Sequence, residues 1–380
     1  MNFDLTETHL MIQETARKFA DEELAPRAAE RDEKEEFPLD SVKKLGELGF
    51  MGMMVPEQYG GAALDTVSYV LAMIEISRGD ASCGVIMSVN NSLVCHGLDE
   101  WGTEAQKQKY LVPLASGKKL GAFALSEPEA GSDASNQRTT ARLEGDSYIL
   151  NGTKNFITNG ANADVILVMA ATDREKRAKG VSTFIVEKGT PGLSVAKKER
   201  KLGIRSSDTA SLAFEDCRVP RENRIGEEGF GFRFAMKTLD GGRIGIASQA
   251  LGIARAAMEA SIKYSKQRKA FDQYIAEFQA IQFKIADMAT KIDAAQLLTL
   301  KAAALKDAGQ PYGSAAAMAK LYASKIAVEC SLEAIQIHGG YGYIKEYPVE
   351  RYLRDSKITE IYEGTSEVQK IVIARSLLKD

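Results

Sequence analysis

The chain has 380 residues and a hydrophobic content of 44%, so two or three packed units are expected rather than one small core. Its 49 basic and 52 acidic residues leave a net charge of −3, and no Lys/Arg cluster is long enough to follow a phosphate backbone. The composition indicates an ordinary globular protein and argues against nucleic acid as a partner.

Residues 1–118 have the pattern of an α-helical domain. Capping residues at 6–9 precede apolar residues that recur largely at three- and four-residue spacing. A turn at 56–61 interrupts the pattern, and apolar helical stretches resume at 66–78 and 82–98. These helices are expected to form the first layer of core.

Residues 119–226 change to the period of β-strands. The stretches 139–143 and 148–150 flank a Gly-Asp turn and predict a hairpin. Short runs bounded by turns predict further strands. These runs are 165–170, 183–187, 193–196 and 211–215. Together the strands predict a small β-barrel.

Residues 227–380 return to a helical period after the glycine-rich turn at 226–231. Ala254, Ala257 and Met258 lie on one apolar stripe, and further long helices follow. The chain has no repeat of about 20 to 50 residues and no Gly/Ser linker, so the three parts are expected to pack into one body. These patterns predict an architecture but no reaction.

Targeting signals and metal-binding patterns are both missing from the sequence. The N-terminus has neither a basic nor an apolar targeting segment, and no stretch approaches the ~20 apolar residues that span a bilayer. We therefore expect a cytoplasmic protein without membrane insertion. The 4 cysteines and 3 histidines are scattered, with no spacing typical of a metal site, a disulfide scaffold or a Ser/His/Asp triad. No metal is expected, and catalysis must depend on other groups.

Four segments carry a more specific signal. They are 123–133 (FALSEPEAGSD), 151–160 (NGTKNFITNG), 238–243 (TLDGGR) with 264–271 (YSKQRKAF), and 336–343 (QIHGGYGY) with 361–367 (IYEGTSE). In this order and at this spacing they resemble the acyl-CoA dehydrogenase family from end to end, and most closely its short-chain (butyryl-CoA) branch. The resemblance implies an α+β fold with an N-terminal helical domain (1–118), a central small β-barrel domain (119–226) and a C-terminal four-helix bundle (227–380). It also implies a homotetramer.

The resemblance implies FAD as the cofactor. Small Ser and Gly residues suit a flavin-binding loop, because backbone N–H groups can approach an anionic ring only where side chains are small. The residues implied to bind FAD are Phe123, Leu125, Ser126, Gly131, Ser132, Phe156, Ile157, Thr158, Arg268, Phe271, Gln279, Gln336, Ile337, Gly339, Gly340, Thr365 and Glu367. Of these, Arg268, Phe271, Gln279 and the residues at 336–340 are implied to meet the FAD of a neighbouring subunit.

Parts of these segments also fit simpler explanations or depart from the family pattern. Taken alone, 123–133 is as well explained by a surface turn and 151–160 by a strand ending in a turn, while Arg268 is better explained by a solvated helix charge. Many members of the family have Trp where this chain has Phe156, and Asp272 replaces the usual Gly after Phe271.

The resemblance implies that Glu363 is the base that removes a proton from the carbon next to the thioester. A carboxylate with an ordinary pKa of about 4.3 is a poor base for this purpose, so burial is expected to raise the pKa of Glu363. The implied substrate-binding residues are Ser132, Asp240, Arg243, Tyr362 and Gly364. The backbone N–H of Glu363 and a flavin hydroxyl are implied to stabilise the enolate-like oxygen.

The implied reaction converts a short-chain acyl-CoA to the trans-2-enoyl-CoA, with hydride transfer to FAD and electrons passed to electron-transferring flavoprotein. The stretch 88–93 resembles the short-chain branch and contains no Arg to pair with a distal carboxylate. Because Cys95-His96-Gly97 differs from the bulkier residues usual there, branched or alicyclic substrates such as cyclohexane-carboxyl-CoA stay open. An acyl-CoA oxidase, a catalytically silent CoA-ester-binding relative, and a flavin monooxygenase or nitroalkane-type enzyme are competing interpretations of the same motifs.

Overall fold

Helices form the first part of the chain in the computed structural model, which describes residues 4–378. They are α1 (Glu7–Phe19), α2 (Ala25–Lys34), α3 (Leu39–Glu47), α4 (Thr66–Gly79), α5 (Ala81–Ser88), α6 (His96–Trp101), α7 (Glu104–Gln106) and α8 (Val112–Ala115). The predicted capping is confirmed, since the Thr6 hydroxyl accepts a hydrogen bond from the His9 N–H at 3.2 Å. A π-helical segment, Val89–Cys95, joins α5 to α6. The extreme ends of the predicted terminal domains, 1–3 and 379–380, lie outside the described residues.

An eight-stranded sheet follows the helices. Its strands are β1 (Gly121–Ala124), β2 (Thr140–Glu144), β3 (Ser147–Thr158), β4 (Val165–Ala171), β5 (Val181–Glu187), β6 (Leu193–Lys198), β7 (Thr209–Pro220) and β8 (Arg224–Ile225). The hydrogen-bonded order is β6-β7-β3-β2-β4-β5-β8, and β1 pairs in parallel with β4. The predicted hairpin is confirmed as β2 and β3, with Leu143 opposite Tyr148. Apolar residues such as Leu150, Phe184 and Phe214 form the core of this domain.

The last part of the chain is helical, as the sequence predicts. Its helices are α9 (Gly231–Ser265), α10 (Gln279–Asp307), α11 (Gly313–His338), α12 (Val349–Lys357) and α13 (Ser366–Leu377). Two short strands, β9 (Lys269–Ala270) and β10 (Gln273–Tyr274), form a hairpin between α9 and α10. Helix α11 packs against α9, α10 and α13, and the small side chains of Ala319 and Ala323 allow a close approach.

Helix α9 is the element that brings the three parts together. It packs against α4 and the π-helical segment of the first part, against β4 and β5 of the sheet, and against α11 of the last part. A Cβ atom at Gly252 would lie 2.5 Å from the Ile74 carbonyl oxygen of α4, so glycine is needed for this close approach. The three parts are also tied together at α12, where Arg354 pairs with Asp32 of α2 at 2.7 Å and donates to the Leu202 carbonyl oxygen of the middle part at 3.2 Å.

Across residues 4–378, no helix is long and apolar enough to cross a membrane. Within the same range, no group of three or more His, Cys, Asp or Glu side chains is placed to hold a metal ion. The four cysteines are buried and form no disulfide.

Candidate active site

Glu363 lies in a tight turn between α12 and α13. Its backbone is left-handed, with φ 52°, and Gly364 follows with φ 94°. A left-handed residue other than glycine costs about 1–3 kcal/mol and persists only where its surroundings fix it. A Cβ atom at Gly364 would lie 2.6 Å from Gln369 Nε2, so a side chain cannot be added at this position without displacing Gln369.

Side chains from two helices fix this turn. Gln369 of α13 donates hydrogen bonds to the carbonyl oxygens of Glu363 at 3.2 Å and Gly364 at 2.8 Å. Lys320 of α11 donates to the same Gly364 oxygen at 2.8 Å. The Thr365 hydroxyl caps α13 by accepting from the Val368 N–H at 3.4 Å. The turn is therefore anchored both by α11 and by the helix that follows it.

The Glu363 carboxylate points toward α9. Its Oε2 atom is buried and accepts no hydrogen bond from any described residue. It occupies the space next to Gly242, where an added Cβ atom would overlap it and would also lie 2.8 Å from the Leu93 side chain. The carboxylate is thus enclosed between α9 and the π-helical segment. Because no described residue donates to its Oε2 atom, that atom can still accept a proton or a hydrogen bond.

The surroundings of Glu363 raise the pKa of its carboxyl group toward neutral pH. Burial raises the pKa of Glu363 to about 7, and the positive charges of Lys320 and Arg243 oppose that rise. Burial also lowers the pKa of Lys320 to about 8, while the nearby Glu363 charge acts in the opposite direction. The Tyr362 hydroxyl donates to Gln249 Oε1, and burial keeps the Tyr362 pKa well above its ordinary value. A carboxylate with a pKa near 7 is suited to general base catalysis.

Asp240 and Arg243 lie one helical turn apart on α9. Arg243 is only 6% exposed, and its Nη1 donates to Asp240 Oδ1 at 2.5 Å. The Arg243 Nε atom is buried and donates to no described residue. The structure therefore pairs the two residues with each other and places the Arg243 charge close enough to affect Glu363.

The first two predicted flavin segments meet in the structure. The Asn155 N–H donates to the Ser126 carbonyl oxygen at 2.9 Å, which joins 151–160 to 123–133. Phe123, Leu125 and Ile157 are buried, Ser126 and Thr158 are half-buried, and Gly131 and Ser132 are exposed. Phe156 is 66% exposed and left-handed, at a bulge in the β3–β7 pairing.

Lys154 fixes the position of these two segments relative to each other. Its side chain is fully buried, and its Nζ donates to Leu125 O at 3.0 Å, Glu127 Oε1 at 2.7 Å and Gln137 Oε1 at 2.5 Å. The Glu127 carboxylate also accepts from the Thr139 N–H at 3.1 Å. This buried network holds the 123–139 loop against β3.

Glu367 is exposed in the first turn of α13, and the other predicted cofactor residues cluster around the β9–β10 hairpin and the end of α11. Phe271 is 91% exposed at the hairpin tip, where both it and Asp272 are left-handed. The Arg268 guanidinium lies 5.5 Å from the centre of the Tyr341 ring, which brings 264–271 next to 336–343. Gln279, Gln336, Gly339 and Gly340 are exposed and Ile337 is buried. His338 is buried and stacks on Tyr264, with ring centres 4.2 Å apart, as expected of a structural residue.

Several side chains that build the site were not predicted. Lys154 lies within the 151–160 segment but was given no role, and the others lie outside every motif: Gln249, Lys320 and Gln369. For Lys320 a signal was available. It lies on the stripe of α11 formed by Ala316, Ala323 and Ala327, all of them buried, so a lysine occupies a position that the helical period assigns to the core.

Family models and known proteins match the chain over almost its full length. Residues 6–118, 122–217 and 229–378 match the models "Acyl-CoA dehydrogenase, N-terminal domain", "middle domain" and "C-terminal domain". The chain is 55% identical to the mitochondrial short-chain specific acyl-CoA dehydrogenase of Rattus norvegicus, covering 99% of this chain and 91% of that protein. It is 53% identical to the short-chain specific acyl-CoA dehydrogenase of Clostridium acetobutylicum, with 100% of each covered.

Solved structures show the same similarity. Butyryl-CoA dehydrogenase from Megasphaera elsdenii matches with a TM-score of 0.98 and 49% identity, covering 100% of both chains. A chain from a structural study of the electron transferring flavoprotein of Acidaminococcus fermentans matches with a TM-score of 0.99 and 54% identity, again over 100% of both chains.

Proposed function

This chain belongs to the acyl-CoA dehydrogenase family, and on that premise we propose that it converts short straight-chain acyl-CoA thioesters to trans-2-enoyl-CoA with Glu363 as the base. The observation that carries the proposal is the enclosed Glu363 Oε2, which has no partner among the described residues and belongs to a carboxyl group whose pKa is raised to about 7. A structural carboxylate would be paired or solvated.

Glu363 removes a proton from the α-carbon. The C–H bond breaks, Glu363 Oε2 takes the proton, and the electron pair forms the carbon–carbon double bond as a hydride leaves the β-carbon. The thioester oxygen gains negative charge in this step, so a donor aimed at it lowers the barrier. No described residue accepts a hydrogen bond from the Glu363 N–H, which leaves this group available as that donor.

The residues present fit FAD. The loop 123–133 and the end of β3 offer small exposed residues and the exposed Phe156 ring. Open space borders Gly131 and Gly340, since an added Cβ atom at either position would have nothing within 4 Å, so a cofactor can approach their backbone. FAD, when bound, supplies the acceptor for the hydride. We assign its contacts to the two joined segments, to Thr365 and Glu367, and, from a second subunit, to Arg268, Phe271, Gln279 and residues at 336–340.

A short, unbranched acyl group is favoured by the packing around 95–97. A Cβ atom at Gly97 would lie 2.7 Å from the Phe234 ring, so the space left by this small residue is filled by Phe234. Cys95 is fully buried, and burial lowers the pKa of His96 to about 3, so the His96 ring is neutral. The unusual Cys95-His96-Gly97 sequence therefore adds no visible room for a branched or cyclic tail.

We further propose electron-transferring flavoprotein as the electron acceptor and a homotetramer as the assembly. The proposed electron acceptor is supported by the similarity to a chain from a structural study of such a flavoprotein. Exposed aromatic side chains beside the implied second cofactor site, including Phe271 at 91% and Tyr343 at 87%, support burial by another subunit. The boundaries 1–118, 119–226 and 227–380 are retained as the proposed domains.

An anaerobic titration tests the proposed function. FAD-loaded protein is mixed with butyryl-CoA and, in parallel, with branched and cyclic acyl-CoA esters, while flavin absorbance is followed. We expect near-stoichiometric bleaching with butyryl-CoA and much slower bleaching with the branched and cyclic esters. Persistent absorbance with every ester would overturn the dehydrogenase proposal, and rapid hydrogen peroxide formation in air without another acceptor would favour an acyl-CoA oxidase.

A further inference from the structure

We propose that Lys320 is a positioning residue for Glu363: its ammonium group holds the Glu363–Gly364 turn, and its charge stabilises the ionised base. This inference rests on the proposed function, because it concerns how the same base is held and ionised.

Lys320 is buried without an ion-pair partner among the described residues. Its residue exposure is 0%, and its hydrogen bond goes to a neutral acceptor, the Gly364 carbonyl oxygen, at 2.8 Å. No carboxylate of the described residues lies within ion-pair distance of its Nζ, whereas the other fully buried lysine, Lys154, pairs with Glu127 at 2.7 Å. Burial of an ammonium group without an ion-pair partner is unfavourable, and an apolar side chain would fill the same space at lower cost. The position is therefore poorly explained by stability alone.

The geometry of the turn explains what the ammonium group does. The Gly364 oxygen accepts from Lys320 Nζ and from Gln369 Nε2, both at 2.8 Å, so it is held by donors from α11 and α13. Glu363 is left-handed immediately before this oxygen. The orientation of the Glu363 N–H depends on that conformation, and a shift of the Gly364 carbonyl would turn both the N–H and the carboxylate.

The charge of Lys320 acts on the carboxylate as well. The charged or titratable groups that face Glu363 are Arg243 on α9, Lys320 on α11, Tyr69 on α4 and the adjacent Tyr362, while Glu360 and Glu367 face Lys320. Burial raises the pKa of both tyrosines, so they stay neutral. The Arg243 charge is partly compensated by its partner Asp240 at 2.5 Å. Of the two cations that favour ionised Glu363, Arg243 has an ion-pair partner, whereas Lys320 has no carboxylate of the described residues within ion-pair distance.

Variants of Lys320 and Gln369 separate the anchoring of the turn from the effect of the Lys320 charge. Lys320→Met removes one hydrogen bond and a charge, and Gln369→Met removes two hydrogen bonds from the same turn without changing any charge. Each FAD-loaded protein is mixed anaerobically with butyryl-CoA from about pH 5.5 to 9, and the rate of flavin bleaching is measured. Affinity for crotonyl-CoA, followed by the change in the flavin spectrum, and the melting temperature report binding and folding independently of turnover.

The acid limb is the part of the profile where the bleaching rate falls as the pH is lowered. Lys320→Met is expected to move this limb up by about one pH unit or more. The rate at pH 7 then falls about fivefold more than the rate at pH 9. Gln369→Met is expected to slow bleaching at every pH without moving the limb. Lys320→Gln keeps a hydrogen-bond donor but no charge, and it is expected to shift the acid limb as Lys320→Met does. If the methionine variant loses flavin, the glutamine variant alone tests the effect of the charge.

An unmoved limb in both Lys320 variants, with the wild type bleached normally, would overturn this inference and leave the proposed function intact. Failure of butyryl-CoA to bleach the wild type would instead overturn the proposed function. A limb shift in Gln369→Met equal to that in Lys320→Met would also contradict the inference, because loosening of the turn would then account for the change.

Discussion

The carboxylate of Glu363 occupies the space beside Gly242 that any larger residue would fill. Gly242 is on α9 and Glu363 is in the turn before α13, so two distant parts of the chain meet at the reacting group. The glycine has a negative φ and lies in regular helix, where glycine is normally unfavourable by about 0.5–1 kcal/mol relative to alanine. Its presence is explained by the carboxylate that packs on it.

Gly242→Ala is expected to lower the rate of flavin bleaching by butyryl-CoA at least tenfold while FAD stays bound, because the new methyl group displaces the Glu363 carboxylate. Gly241→Ala is the matched control: a Cβ atom there would meet its nearest neighbour, Lys306 Nζ, at 3.8 Å. Both changes gain helix propensity, so neither is expected to unfold α9. Equal rates for the two variants would contradict the placement of the carboxylate.

The pH dependence of the reductive half-reaction follows from the pKa of Glu363, which burial raises to about 7. Only the ionised form accepts a proton, so the bleaching rate is expected to rise with pH and to level off above about pH 8. Stopped-flow absorbance under anaerobic conditions measures this profile. A rate that already levels off a little above the ordinary glutamate pKa of about 4.3 would instead show that the carboxylate is solvated.

Glu363→Gln is expected to stabilise the fold at alkaline pH. The folded-state pKa lies above the unfolded value, so the favourable contribution of Glu363 is fully present below about pH 4.5 and is lost as pH rises through about 7. Above that pH the wild type buries a charge that glutamine lacks, which is expected to cost ~1–3 kcal/mol. Thermal unfolding of the two proteins at about pH 5.5 and 8.5 checks this, and a difference independent of pH would contradict it.

Lys154→Met is expected to lower the free energy of unfolding by about 3–5 kcal/mol, because Glu127 would be left buried without its cation. The loop that begins at Phe123 would lose its anchor to β3, so FAD should also dissociate more readily. The double variant with Glu127→Gln removes the stranded charge and is expected to recover part of the stability. Chemical denaturation and flavin fluorescence measure the two effects, and full stability in the single variant would contradict this role.

Much of the fold was predictable because its signals are local. The capping residues at Thr6, the hairpin of β2 and β3, and the long helices follow from residue types within a few positions of one another. The coarse α+β division into helices, sheet and helices was therefore available from the sequence. Glu363 could be identified only by its motif, since a single glutamate in a turn carries no information about burial.

The rest of the site depends on contacts between distant residues. Lys154 meets Leu125 and Glu127 across 29 and 27 positions, and Lys320 meets Gly364 across 44. No local period describes such pairs, although Lys320 could have been noticed on the apolar stripe of α11. Likewise, Asp240 and Arg243 were expected to bind the substrate, while their mutual ion pair is visible only in the folded chain.

The most direct test of Glu363 as the base is anaerobic mixing of FAD-loaded Glu363→Gln with butyryl-CoA. The glutamine side chain has nearly the same shape but cannot accept the proton, so the variant is expected to bind FAD and crotonyl-CoA and to show no flavin bleaching on the timescale of the wild type. Bleaching at the wild-type rate would show that another group removes the proton and would contradict the proposed mechanism.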